Sequence, residues 1–158
     1  MRPNEHYWIT YHLALEAGFY PPEAEKIADA NKNIDKYYPA TALSGLGSLF
    51  GNETNYSRHF NALKTRLFGK DSRDQWAEHS FNLALKRGDA SLLGQGLHSV
   101  QDKCVHQGIL AQIDLSIFGK KIIATKWRDD PQKNRKGFNQ AKKITGDYLK
   151  RFLQAKNL

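Results

Sequence analysis

The sequence predicts an all-α protein: a single-domain helical bundle of about five to six helices with one small β-hairpin. Three observations predict it. Most of the chain falls into segments whose apolar residues recur at three- and four-residue spacing, the signature of a helix with one buried face. Those segments open at Pro, Asp or Ser and close at Gly, which is how helix ends are punctuated. Only one stretch alternates with the period of a strand, and no internal repeat or low-complexity tract breaks the pattern.

The first element is "NEHYWITYHLALEAG", a helix expected to begin near Asn4 and to be closed by Gly18. The second is "PPEAEKIADANKNID", residues 21–35. Its prolines sit in the first turn, where a missing N–H costs nothing, and its early glutamates face the positive end of the helix dipole. Residues 39–58 carry Gly45, Gly47 and Gly51 without a sustained period and read as a long loop, a kind of segment that is often functional. A short helix is expected over "HFNALKTRLF", residues 59–68. Next comes "DSRDQWAEHSFNLALKR", which starts at an Asp or Ser cap and ends before Gly88. The longest apolar helix is "ASLLGQGLHSVQDKCVHQGILAQ", residues 90–112. "LSIFGKKIIATKW" alternates around a Gly-Lys turn and supplies the hairpin, and the chain from Asp129 ends in a basic helix.

Composition narrows the function classes. A length of 158 residues with 40% hydrophobic and 25% charged positions suits one ordinary domain with a real core. Cys104 is the only cysteine, so no intrachain disulfide can form; its apolar helix makes it a buried structural thiol rather than a nucleophile. No apolar run approaches the ~20 residues of a membrane-spanning helix. Lys and Arg number 24 against 16 acidic residues, a net charge of +8, which suits a nucleic acid, an anionic lipid surface or an acidic inhibitor protein. The opening "MRPNEHYW" lacks the apolar core of a signal peptide, which implies either an intracellular chain or a module of a longer secreted one.

Helical phase sorts the histidines. At about 100° per residue, His6 shares the buried face of its helix with Ile9, Thr10, Leu13 and Ala17, whereas His12 points elsewhere. In the helix from Asp71, His79 lies opposite the apolar arc of Ala77, Phe81, Ala84 and Leu85 and belongs at the surface. The segment "GLHSVQDKCVHQG" differs from both. His98, Asp102 and His106 stand four residues apart in one column beside Gly94, Val105 and Ile109. Leu93, Leu97, Val100 and Cys104 form a second apolar arc, and only Ser99, Lys103 and Gln107 make a polar side. A helix apolar on two sides belongs in the middle of a bundle, where an Asp must be paired or hold a metal. Histidine and aspartate at this spacing are ordinary zinc donors, and Gly94 would leave room for something to approach that face.

Taken together, "EHYWITYHLALEAGF", "EAEKIADANKNID", "RHF" and "LLGQGLHSVQDKCVHQG", in this order, resemble the zinc-dependent phospholipase C and fungal single-strand nuclease superfamily. The likeness is to its compact bacterial branch, including C-terminal domains of polymorphic toxins, and covers most of residues 5–150. The resemblance implies a helical bundle with zinc ions in a cleft and hydrolysis of phosphodiesters. Asp35, His59, His98 and Asp102 match the tightest zinc site, His6 a neighbouring ion that shares Asp102, and His106 one ligand of a third. Asp35 and Asp102 are the carboxylates it assigns to catalysis. Two departures stand out. The classical enzymes use a processed N-terminal Trp, where this chain begins at Met1 with Trp8 its only early Trp. They also supply a late His and carboxylate, whereas no His follows His106 and only Asp114, Asp129, Asp130 or Asp147 could substitute. One or two zinc ions are therefore expected rather than three.

The expected reaction is metal-assisted in-line attack on a phosphodiester, the metal lowering the pKa of water from 15.7 towards about 7. Lys120, Lys121, Lys126 and Arg128 with Tyr37, Tyr38, Phe50 and Tyr56 favour a nucleic-acid substrate; the apolar loop "ALSGLGSLF" favours a lipid. The toxin branch implies an acidic immunity protein as partner. Two other readings of the His/Asp column stand beside this one. The first is a non-catalytic, metal-stabilised domain that binds nucleic acid or a protein, and the second is a metal-free internal hydrogen-bond network.

Overall fold

A computed structural model describes residues 1–37, 71–106 and 129–157, and among them every regular element is a helix. They are α1 (Pro3–Ala17), α2 (Pro21–Lys32), the single turn α3 (Ile34–Tyr37), α4 (Ser72–Arg87), α5 (Ala90–Val105) and α6 (Arg135–Lys156). The chain is all-α, as its periodicity predicts. The loop of residues 39–58, the helix expected over 59–68 and the hairpin lie outside the described residues, and with them His59, Tyr38, Phe50, Tyr56, Asp114, Lys120, Lys121, Lys126 and Arg128. No described helix is long and apolar enough to cross a membrane.

Capping chemistry explains the boundaries. Gly18 and Gly88 take φ of 106° and 64°, the left-handed region that a side chain disfavours, and so end α1 and α4. Asp71 and Asp89 accept from the backbone N–H groups of Arg73 and Ser91 and start α4 and α5. Three boundaries differ from expectation. The second helix breaks at Asn33, so Asp35 rides on the separate turn α3. The helix expected to run to Gln112 stops at Val105, because His106 leaves helical geometry at φ −100° and ψ 58°. A turn over residues 131–133 precedes α6, which Asn134 caps by accepting from Gly137 N–H.

The central element is α5, packed against α2, α4, α6 and, more lightly, α1. Its glycines set the spacing. A Cβ on Gly94 would fall 2.1 Å from the Ile27 carbonyl oxygen, and one on Gly96 2.9 Å from Ser80 Cβ. Gly94 therefore admits the α2 backbone; the room expected there for an approaching group is filled. Leu93, Leu97 and Val100 meet Ile27, Phe81, Leu149 and Phe152 in the main core. Cys104 is buried with Val105, Phe138 and Ala141 in a second cluster, as a structural thiol should be, and burial raises its pKa. The polar side expected on α5 is only partly polar in surroundings: Ser99 is fully buried, and Lys103 is paired with Asp74.

Candidate metal centre

Burial by phase delivers the first donor. His6, Thr10 and Ala14 form the inward row of α1, and His6 is completely buried. His12 and His79 are exposed, as their phases predict. On α5, His98 and Asp102 project from successive turns toward α1, at 0% and 4% exposure. The imidazoles of His6 and His98 stack with centroids 4.1 Å apart. Asp102 lies across both: Oδ1 is 3.3 Å from His6 Nε2, and Oδ2 is 3.3 Å from His98 Nε2. One donor atom from each of the three residues lies within 4.8 Å of the others. From α3, Asp35 Oδ1 approaches His98 Nε2 to 3.5 Å, and its side chain is 31% exposed. Asp35 thus forms the open edge of an otherwise closed cluster.

The outer nitrogens of the two histidines are held by a polar network. His98 Nδ1 lies 3.1 Å from the Asn31 carbonyl oxygen, which can only accept, so Nδ1 carries the proton. His6 Nδ1 lies 2.6 Å from Gln101 Oε1. The Gln101 amide is oriented by its other bonds: Nε2 donates to Thr10 Oγ1 and Thr145 Oγ1, and Oε1 accepts from Asn31 Nδ2. So oriented, Oε1 accepts from His6 Nδ1–H as well. In the neutral imidazoles both Nε2 lone pairs then face the same carboxylate. Burial, only partly countered by Asp102, lowers the His6 pKa and keeps that ring neutral.

The two Nε2 atoms and both oxygens of Asp102 make a group of four electron-rich atoms that attracts a cation, and the amino group of Met1 already lies 2.9 Å from Oδ1. The spacing suits a metal ion. Zinc with bonds of about 2 Å in a tetrahedron places its donors about 3.3 Å apart; His6 Nε2 and His98 Nε2 each lie 3.3 Å from an Asp102 oxygen, one from Oδ1 and the other from Oδ2, and one donor from each residue lies within 4.8 Å of the others. Charge-assisted N–H···O bonds are shorter, about 2.7–2.9 Å. His6 Nε2, although buried beside Asp102, makes no hydrogen bond. A tautomer locked through the far nitrogen is also the usual support of a metal-binding histidine. His6, His98 and Asp102 could together hold a metal ion.

His106 and Asp129 form an adjoining group with the amino nitrogen of Met1. That nitrogen is 2.9 Å from Asp102 Oδ1, 2.9 Å from Asp129 Oδ1 and 2.7 Å from His106 Nε2. Burial opposes its charge, but Asp102 and Asp129 more than compensate, and its pKa is raised. Burial first, then this positive amino group, lower His106 to about 4. His106 Nε2 lies 3.6 Å from Asp102 Oδ1 and 3.3 Å from Asp129 Oδ1.

The structure thus brings together His6, Asp35, His98, Asp102 and His106 of the residues picked from sequence. Of the late carboxylates, Asp129 reaches the site, Asp130 turns back to Gln132 N–H and Lys133, and Asp147 lies at the surface. Sequence reasoning placed Thr10 on the inward face without giving it a role, and it missed Gln101, Asn31 and Thr145. Their signal was an inward helical phase, read past because amides and hydroxyls are common on solvated faces. The chain matches no protein-family model, no curated protein and no solved structure.

Proposed function

We propose that this chain is a metal-dependent phosphodiester hydrolase, phospholipase C-like or nuclease-like. The single observation that carries the reading is the pair of Nε2 lone pairs turned on Asp102, with Asp35 at the open edge. His6, His98 and Asp102 would hold a zinc-class ion, and Gln101 and Asn31 would keep the two rings in register. A bound ion would supply Lewis acidity toward a phosphoryl oxygen and bring a water molecule's pKa toward neutrality. Asp35, about a third exposed, would complete the ligand set or accept a proton from water entering at that edge. The net charge of +8, and Tyr37 exposed at 63% with Lys36 over its ring, suit an anionic substrate with stackable groups.

One observation favours a second reading, a non-catalytic metal-stabilised domain. Structural zinc sites are closed and catalytic ones keep an open position, and three of these donors are buried. Metal content per chain, measured by plasma mass spectrometry for the wild type and His98→Ala, tests both. Zinc near one equivalent, lost in the variant, with chelator-sensitive hydrolysis of bis(p-nitrophenyl) phosphate supports the hydrolase. Zinc without turnover of phosphodiesters supports the structural site. Failure to bind metal after reconstitution overturns both.

A further inference from the structure

Away from the His/Asp cluster, a cleft of about 520 Å³ opens between the start of α4, the end of α5 and the middle of α6. Its wall includes Asp71, Arg73, Lys103, Lys143, Ile144 and Asp147. None of them belongs to the candidate metal centre. Arg73 is only 3% exposed, an unusual burial for a guanidinium. Asp71 engages two of its three nitrogens, accepting from Nε at 3.0 Å and Nη2 at 2.9 Å. The third, Nη1, is buried and makes no hydrogen bond. An unmatched buried donor of this kind marks a missing acceptor.

The neighbouring side chains are donors too. Asp74 engages the Lys103 ammonium, which has further N–H groups to offer, and Lys143 reaches the same cleft from the exposed side of α6. Among the cleft's carboxylates, Asp71 is committed to Arg73, and Asp147 stands at the solvent edge. The deficit in this cleft is of acceptors rather than of negative charge. Several oxygens on one small group answer it better than a single carbonyl would. We propose that the cleft is a binding site for a phosphate-class oxyanion, with Arg73, Lys103 and Lys143 as donors and Asp147 as a repulsive gatepost. Arg73 also contributes to the lowered pKa of His106, so the two sites lie within electrostatic reach although they share no residue.

The test is calorimetric titration of inorganic phosphate, and separately acetate, into the full chain stripped of metal, at fixed pH and ionic strength. Phosphate is expected to bind without metal, about tenfold more weakly in Arg73→Met and several-fold more weakly in Lys143→Ala. Asp147→Asn should tighten binding, and His12→Ala, at an exposed position outside the cleft, should leave it unchanged. Lys143 and Asp147 are exposed, so their variants keep the test intact if Arg73→Met does not fold. Absence of phosphate binding in the millimolar range overturns the proposal and leaves Nη1 to a buried water. Equal affinity in wild type, Lys143→Ala and Asp147→Asn also overturns it, as does acetate binding as tightly as phosphate. Because the protein is metal-free throughout, none of these outcomes depends on the hydrolase reading.

Discussion

Replacing Gln101 with Met removes one amide from the centre of the bundle at nearly constant volume. Gln101 is fully buried and bonds to His6, Asn31, Thr10 and Thr145. A net hydrogen bond contributes about 0.5–1.5 kcal/mol, and a buried group left without its partner costs about 1–3 kcal/mol. The two threonine hydroxyls can turn to helix carbonyls, and Asn31 Nδ2 keeps its bond to Thr10 Oγ1 while losing the one to Gln101, so most of the loss falls on His6 Nδ1. The expected destabilisation of the metal-free protein is about 2–4 kcal/mol, read as a shift in urea midpoint at constant slope. The variant also releases His6 from a single tautomer, which should weaken zinc binding by about 10–100-fold in a chelator competition. Urea unfolding separates the two effects, because affinity is measured where the variant is fully folded. Unchanged zinc affinity in a folded Gln101→Met protein would refute the role assigned to the network. Destabilisation below about 1 kcal/mol would refute the orientation deduced for the amide.

Three further expectations follow from the geometry. Gly94→Ala drives a methyl into the Ile27 carbonyl and should destabilise by about 3 kcal/mol or more, whereas Gly146→Ala, with nothing within 4 Å, should stabilise α6 by about 0.5–1 kcal/mol; paired urea melts check both. Arg151, by its hydrogen bond, lowers the Glu78 pKa, aided by Tyr148 and opposed by burial, so the carboxylate's contribution is present above the ordinary value of 4.5 and lost as pH falls through the lowered one. Glu78 is well exposed, so Glu78→Gln should cost under about 1 kcal/mol at pH 6 and nothing once the wild-type carboxyl is protonated, measured as stability against pH. Zinc at a hundred times its dissociation constant should stabilise the wild type by about 2.7 kcal/mol, and His98→Ala should abolish that gain in a thermal melt.

Much of the local structure was legible because its causes are local. Gly18 and Gly88 end helices through backbone freedom, and Asp71 and Asp89 begin them by accepting N–H groups two residues on. The burial of His6 and the exposure of His12 and His79 follow from phase alone. Phase was a poorer guide where neighbours decide the outcome. Ser99, read as polar surface, is buried in the bundle; Gly94, read as an opening, is a backbone contact. His106, read as a third rung of a helical column, has left the helix and meets Asp102 from the cap.

By itself, then, the sequence determined the all-α class, the capped ends of the helices, the central place of α5 and the inward faces of α1 and α5 that carry His6 and the pair His98 and Asp102. Periodicity and capping act over one or two turns, and such information survives in a linear string. Only the tertiary structure decided that His6 and His98 stack, that one carboxylate lies 3.3 Å from both Nε2 atoms, and that Asn31 and Gln101 hold the opposite nitrogens. Apart from the His98–Asp102 pair, four residues apart on α5, those contacts join residues 67 to 96 positions apart. Their geometry depends on how closely α1 and α2 approach α5, a distance set by packing around Gly94 and the core rather than by any local preference.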